Sequence, residues 1–378
     1  LDAGRFGQKS RLRFGYTTGS CAALAAGAAA RMLLSGKPEA TATLLTPAGA
    51  VFEAELLDFR NDGTGASCAV RKNSGDDPDI TDGVLVYAVV RKSDGAGVSI
   101  DGGAGIGRVT RPGLDQPPGA AAINRMPRRM IEEEVVKACR ASGYDGGMSV
   151  VISIPGGEEL AERTFNPDLG IVGGLSIIGT SGLVEPMSVK AVIDTIKAEM
   201  RMVAAEGTRD IIAAPGNYGE NFIAGRPGLA ARPRIRCSNH VGETLDFAGD
   251  LGFGSVLFVG HAGKLVKLAG GVMDTHSRVA DCRTDLLALH AALAGAEPAL
   301  AREVFQAATV DAAIAILDRR GLREETFAGI LDRIDFHLRR RAGGRFAAGA
   351  LLFTNRYGCL GATKGAEGIM ANWGMGNG

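Results

Sequence analysis

After Pro186 the chain falls into an alternation. Helical segments at 188–206 and 242–252 are interleaved with the short apolar runs DIIAAP (210–215), RIRCSN (234–239) and SVLFVG (255–260). Parallel strands need a crossover between them, so this rhythm predicts a parallel sheet with helices on its faces. A helical block over 281–341 and a last strand, GALLFTN at 349–355, continue the pattern. The first half reads differently. From Ala40 to Val90 the runs ATATLLTP, AVFEAELLDF, GASCAVRK and VLVYAVVRK follow one another across Gly, Asp and Asn turns, the signature of a meander or hairpin sheet. An Ala-rich helix precedes them and would cover one face. A second helix, PRRMIEEEVVKACRAS at 127–142, opens with a first-turn Pro and leads into the strand MSVVISIP at 148–155. With 378 residues, two domains are expected. Gly and Pro punctuate the change of rhythm at GTSGLVEP, 179–186. The expected architecture is therefore an α+β domain over 1–182 followed by an α/β domain over 183–378 with a mainly parallel sheet.

Glycine is the unusual residue: 55 positions, about twice the ~7% of average usage. The glycines cluster where apolar runs end, as in GGAGIG (102–107), PGG (155–157), GTSG (179–182), PGNYG (215–219) and GHAGK (260–264). Such clusters serve sharp turns or a close approach of backbone to ligand. In open parallel sheets, ligands bind beyond the carboxyl ends of the strands. GNYGENF follows DIIAAP, HVGE follows RIRCSN, HAGK follows SVLFVG and RYGCLGATKG follows GALLFTN, so four strand ends converge. Gly216, Asn217, Tyr218, Gly219, Gly260, His261 and Gly263 are the expected lining of one pocket, offering main-chain N–H groups and an aromatic face to a nucleotide-like ligand.

Several function classes are excluded. Lys+Arg and Asp+Glu are both 42, so no global field recruits nucleic acid or an anionic membrane. Six cysteines stand without a C-x-x-C pair, which argues against a zinc ribbon, a redox motif or a disulfide framework and fits a reduced cytoplasm. The opening LDAGRFGQKSRLRFG has no apolar signal core, and no run of ~18 apolar residues occurs. GHAGKL has two residues between Gly260 and Gly263 and Leu265 after the Lys, so it is not a P-loop. GGAGIG has G-x-G-x-G spacing and is followed by RVTRPGLDQPPG, whose prolines deny the helix of a dinucleotide fingerprint. The five histidines lack metal spacing, so a protein-bound metal is not expected.

The blocks GYTTGSCAALAA (15–26), DDPDITDG (76–83), GGAGIGRVTRPGL (102–114), AINRMPRRMI (122–131), SIPGGEELAERTFNPDLGIVGGLSIIGTSGLVEPMS (153–188), GNYG (216–219) and GHAGKLVKLAGGVMDTHSRVADCR (260–283) occur in order along nearly the whole chain. Together they resemble the cobalt-precorrin-5B C-1 methyltransferases of cobalamin biosynthesis. The resemblance implies an S-adenosylmethionine-dependent transfer of methyl to C-1 of cobalt-precorrin-5B, giving cobalt-precorrin-6A, with any cobalt belonging to the substrate. It places S-adenosylmethionine in the second-half crevice and the carboxylate-rich tetrapyrrole on the first domain. Arg108, Arg111, Arg125, Arg128 and Arg129 become candidates for bidentate carboxylate contacts, with Lys264 as a further cation. Asp82 and Glu185 are candidates, with His261, for compensating the sulfonium charge or orienting a ring nitrogen.

Under the same resemblance, Thr17, Thr18 and Ser20 would cap the Ala-rich helix and grip a substrate carboxylate at its positive end; the alternative is an ordinary capped helix packed in the core. Cys21 reads as a small buried residue. A non-catalytic corrinoid or nucleotide carrier is the alternative function, and a kinase using the TTGSC turn lacks the phosphate-loop signals. A homo-oligomer and transient contact with neighbouring pathway enzymes are compatible with this reading, whereas nucleic acid and membrane are not expected partners.

Overall fold

The computed structural model describes residues 12–375, so the greater part of the opening stretch lies outside the described residues. The chain divides into two compact units, Leu1–Val189 and Lys190–Gly378.

The first unit runs β1 (Gly15–Tyr16), α1 (Thr18–Ser35), β2 (Thr41–Leu45), β3 (Val51–Asn61), β4 (Gly65–Arg71), β5 (Leu85–Ser93), β6 (Val98–Gly102), β7 (Arg108–Val109), α2 (Arg125–Ala141), β8 (Gly147–Ser153), α3 (Gly157–Ala161), β9 (Ile171–Val172) and β10 (Leu183–Val184). Six strands form one sheet in the order β2-β3-β4-β5-β8-β6. Its pairings are antiparallel except for β6 with β8. Strand alternation decides which face is covered: Val86, Ala88 and Val90 of β5 and Val150 and Ile152 of β8 are fully buried, beneath α1 and α2. The composition of α1 follows from its position. It packs on β4 and β5 and against α2, and Thr18 to Ala30 are all buried, so small side chains dominate, with Leu24 the one large residue in that span. At Gly27 a Cβ would stand 2.9 Å from Glu134 Cβ on α2. Gly36, at φ 72°, ends the helix, its N–H bonding Met32 O.

The second unit runs α4 (Val189–Ala205), β11 (Asp210–Ala214), α5 (Asn217–Ala224), α6 (Pro227–Ala230), β12 (Arg234–Arg236), α7 (Val241–Asp250), β13 (Ser255–His261), α8 (Ala262–Leu265), a 3-10 turn (Val266–Gly270), α9 (Arg283–Leu293), α10 (Pro298–Phe305), α11 (Val310–Asp318), α12 (Arg323–Ala342), β14 (Ala347–Thr354), β15 (Gly358–Ala362) and α13 (Lys364–Asn372). The sheet order is β12-β11-β13-β14-β15. It is a mixed sheet: β11 pairs in parallel with β12 and β13, β13 in parallel with β14, and β15 closes the edge antiparallel. Alternate residues of β13 feed two cores. Val256 and Phe258 join α4, α7 and the helical block α9–α12, while Leu257 and Val259 join α5, α6 and α13. Both faces are covered, which is why β13 reads as an unbroken apolar run.

One expectation is corrected. Part of RYGCLGATKG is not a strand-end loop: Gly358, at φ 68°, turns the chain back so that Gly358–Ala362 pairs with β14, and Thr363 then caps α13. The helix must lie close on the sheet here, because a Cβ at Gly349 would stand 2.2 Å from Ala366 N. Gly349→Ala should therefore destabilise the protein by about 1–3 kcal/mol or more, as overpacking against backbone does. Gly368, inside the same helix, makes the contrast, since a Cβ there would meet nothing within 4 Å. Gly368→Ala should be neutral or stabilise by up to about 1 kcal/mol. Urea melts of the two variants check the pair.

Candidate functional site

In the second unit the chain leaves β11 toward α5 on one face of the sheet and leaves β13 toward α8 and α9 on the other. Since β11 and β13 are neighbours, their carboxyl ends lie at a topological switch point, the place where open parallel sheets offer a ligand crevice. The glycines expected there do adjoin. A Cβ on Gly260 would stand 2.9 Å from Pro215 Cγ, and one on Gly219 would stand 2.8 Å from Val259 O, so their absence lets the β11 loop and α5 lie directly on the end of β13. Gly216 takes φ 94° at the N-cap of α5, an eight-residue helix with no side-chain cap. Tyr218 is 61% exposed, and its ring lies 5.9 Å from that of His261. His261, the last residue of β13, also meets the buried Phe353 edge-on at 5.9 Å. The side chain of Asn217 lies outside the described structure.

The electrostatics of this crevice are unusual. His261 Nδ1 accepts the Gly263 N–H at 3.1 Å, capping α8, which leaves the proton of a neutral ring on Nε2. Burial lowers its pKa, against a weaker opposing effect of Asp311. The Lys264 ammonium stands 3.2 Å from where a Gly216 Cβ would be, beside the open N-terminus of α5. Burial lowers its pKa too. Burial pushes the Cys237 thiol up to about 12 against the opposing effect of Lys264, so that thiol is neutral. A half-buried ammonium next to unpaired helix N–H groups is suited to an anion.

In the first unit the hydroxyls at the start of α1 are already committed. Thr17 is the N-cap and accepts the Ser20 N–H at 3.2 Å. Thr18 Oγ1 accepts the Ile178 N–H at 3.0 Å and has carbonyl acceptors at Ile178 and Ser176. Ser20 Oγ donates to Gly182 O at 2.7 Å, and the Gly19 N–H goes to Ile178 O at 3.0 Å. All three hydroxyl residues are buried. The hydroxyls of Thr17, Thr18 and Ser20, expected to grip a carboxylate, make a cap that binds α1 to residues 176–182. Arg128 is likewise committed: its guanidinium donates to the carbonyls of Ile123, Ile100 and Ala121, and burial lowers its pKa. Arg108 forms a two-pronged pair with the Asp101 carboxylate, and Arg111 donates to Asp168 O. Arg125 pairs with Asp115 and Arg129 with Glu133, both arginines being largely exposed.

The acidic run acts as a clasp. Asp76 takes the Arg13 N–H, Asp77 the Met187 N–H and Asp82 the Ser74 N–H, each at 2.7–2.8 Å. This brings the loop that carries Asp82 to the segment that carries Glu185; both residues are exposed. Beneath the loop lies a cluster that the sequence pattern did not single out. Lys72, 2% exposed, donates to Ser74 Oγ at 2.5 Å and Asp79 Oδ2 at 2.6 Å, while Asp79 Oδ1 accepts from Thr81. Burial works against the Asp79 charge, but Lys72 and the hydrogen bonds outweigh it and hold the carboxyl below its usual range. The only sequence signal was a Lys at the end of a strand with carboxylates a turn away. Burial also pushes the nearby Cys21 thiol up to about 12 and leaves it inert.

Because the folded pKa of Asp79 is depressed, its contribution to stability is present above the unfolded value near ~3.9 and is lost as pH falls through the folded value. The melting temperature should drop on acidification below about pH 4. Asp79→Ala, which strands the buried Lys72 charge, should cost about 3–5 kcal/mol at neutral pH, more than Lys72→Met. Thermal melts across pH 3–7 check both. Thr18→Val should likewise lower stability by about 1–3 kcal/mol, because it leaves the Ile178 N–H without its acceptor.

Residues 6–186 match the CbiD family, and residues 274–364 match the CbiD C-terminal domain. The chain is 45% identical to the cobalt-precorrin-5B C(1)-methyltransferase of Ruminiclostridium cellulolyticum over 91% of its own length and 90% of that protein's. To the protein of the same name from a Thermoanaerobacter species it is 42% identical, covering 86% and 88% of the two chains. A crystal structure of the cobalamin biosynthesis protein CbiD from Archaeoglobus fulgidus aligns with 72% of this chain and 84% of its own, at 29% identity and a TM-score of 0.38. With both of its halves matched and its full-length relatives so similar, the chain belongs to the CbiD family.

Proposed function

We propose that the protein is a cobalt-precorrin-5B C-1 methyltransferase that takes its methyl group from S-adenosylmethionine and binds that cofactor in the switch-point crevice of the second unit. The observation that carries the reading is identity of 45% sustained over nine-tenths of a relative bearing that name. The crevice supports the cofactor assignment through its own chemistry. Gly216, where a Cβ would crowd the Lys264 ammonium at 3.2 Å, leaves that cation open, α5 has no side-chain cap, and Lys264 has no ion-pair partner among the described residues.

Bound S-adenosylmethionine supplies a methyl group activated by its sulfonium. The protein's own part is positioning. Tyr218 and His261 present aromatic faces to a purine, and the Nε2–H of neutral His261 is a donor. Lys264 and the α5 N-terminus serve the carboxylate of the amino-acid end. Arg108 and Arg111, whose present partners lie at the surface, serve substrate carboxylates by exchanging Asp101 and the Asp168 carbonyl for them. Asp82 and Glu185 are exposed carboxylates of the first unit for the N–H groups of the tetrapyrrole. No acid–base pair is required, since the macrocycle is nucleophilic and the leaving thioether neutral; holding the reactants in line contributes on the order of several kcal/mol.

Calorimetry with S-adenosylmethionine tests the cofactor site: His261→Ala and Tyr218→Ala should each weaken binding by about 1–2 kcal/mol, that is, roughly five- to thirtyfold. Unchanged affinity in both variants would remove the cofactor from this crevice. Incubation with methyl-13C-labelled S-adenosylmethionine and cobalt-precorrin-5B should put the label on C-1, whereas binding without transfer would mark a carrier instead.

A further inference from the structure

His261 ends β13, and the strand register sets Phe353 of β14 directly beside it. The Phe353 ring, 1% exposed, meets the imidazole edge-on, with centroids 5.9 Å apart and planes at 83°. The last torsion of a histidine side chain is broad, so the ring plane is set by its neighbours. The hydrogen bond that Nδ1 accepts from the Gly263 N–H, at 3.1 Å, is one of them, and such a bond is worth only about 1 kcal/mol. Packing supplies the rest. Nε2 has no hydrogen-bond partner among the described residues and is not one of the polar atoms sealed from water, so the half-buried ring keeps its donor open.

What holds Phe353 comes from α5. Phe222 stacks on it with ring centroids 4.1 Å apart and planes at 15°. The Arg226 guanidinium carbon lies 3.5 Å from the Phe222 centroid, too close to share the face that Phe353 occupies, so it covers the other one; it also donates to Phe222 O at 3.2 Å. Arg226 is exposed and Phe353 buried, so the stack runs inward from solvent through Phe222 to the edge of His261. Tyr218, one helical turn before Phe222, meets the imidazole at 5.9 Å. α5 therefore reaches His261 twice, once directly and once through Phe353.

We infer that Phe222 is a positioning residue for the cofactor: by holding Phe353 it fixes the plane of the His261 ring, and with it the direction in which Nε2–H is offered to the ligand. This rests on the cofactor reading of the crevice, and the test separates the two. It uses calorimetry with S-adenosylhomocysteine and the 15N signals of the His261 ring, assigned by their loss in His261→Ala. Phe222→Leu and Phe222→Met keep an apolar side chain without a ring. Whichever remains folded in a thermal melt should bind S-adenosylhomocysteine roughly fivefold more weakly and show the His261 nitrogens exchanging between tautomers. Phe222→Tyr keeps the stack and should do neither. Made in the His261→Ala protein, the same Phe222 change should alter affinity by less than about twofold, because its path to the ligand is gone. Unmoved His261 signals, unchanged affinity, or an equal loss with and without His261 would each overturn the inference; an aromatic cluster that only fills the core predicts the first, with a lower melting temperature. The cofactor reading fails by a different sign, His261→Ala and Tyr218→Ala both binding as tightly as the unaltered protein, and the inference then falls with it.

Discussion

Between neighbouring parallel strands the chain must return over one face of the sheet or the other, and in the second unit it uses both. α5 and α6 carry it from β11 to β12 over one face; α7 carries it from β12 to β13 over the opposite one. That reversal forces the loops after β11 and β13 to diverge, and the opening left between them is where Gly216, Tyr218, His261 and Lys264 meet. Everything proposed about the cofactor depends on this piece of topology. The side chains refine it, but the crevice exists because the strands are parallel and the crossovers change face.

The first unit is governed by a different constraint, the closeness of backbone to backbone. Gly15 admits the chain at Ser74, where a Cβ would fall 2.1 Å from the Ser74 carbonyl carbon, and Gly75, at φ 67°, admits Arg13 O. Gly105 and Gly157 cross in the same way, a Cβ on Gly157 falling 2.3 Å from Gly105 O. The thin α1 fits beneath because most of its buried residues are Ala or Gly. The hydroxyls at the start of α1 are part of this packing: they hold the end of the helix to residues 176–182.

Strands and helices were legible in the sequence because burial imposes periodicity on them. The meander from β2 to β5 shows alternate residues, β13 shows an unbroken apolar run, and the glycines at strand ends mark where backbone comes close. What could not be read depends on partners far along the chain. Thr18 looks like an anion-binding cap until Ile178, 160 residues away, is seen to use its hydroxyl. Arg128 looks like a carboxylate ligand until three main-chain carbonyls are found around it. β15 was hidden because GCLGA has neither β-branched residues nor alternation, and its pairing comes from the turn at Gly358. Lys72 stood out only as a Lys at a strand end with carboxylates a turn away, since a charge becomes informative only when its burial is known.

The cofactor assignment turns on where the adenosine sits, and photolabelling reads that directly. Irradiating the protein with an azidoadenosine analogue of S-adenosylmethionine, then mapping the modified peptides by mass spectrometry, should place the adduct within residues 215–223 or 259–265 of the second unit, with unlabelled S-adenosylmethionine competing it away. A competed adduct confined to the first unit, at the TTGSC turn or the 102–107 glycine loop, would contradict the assignment of the crevice.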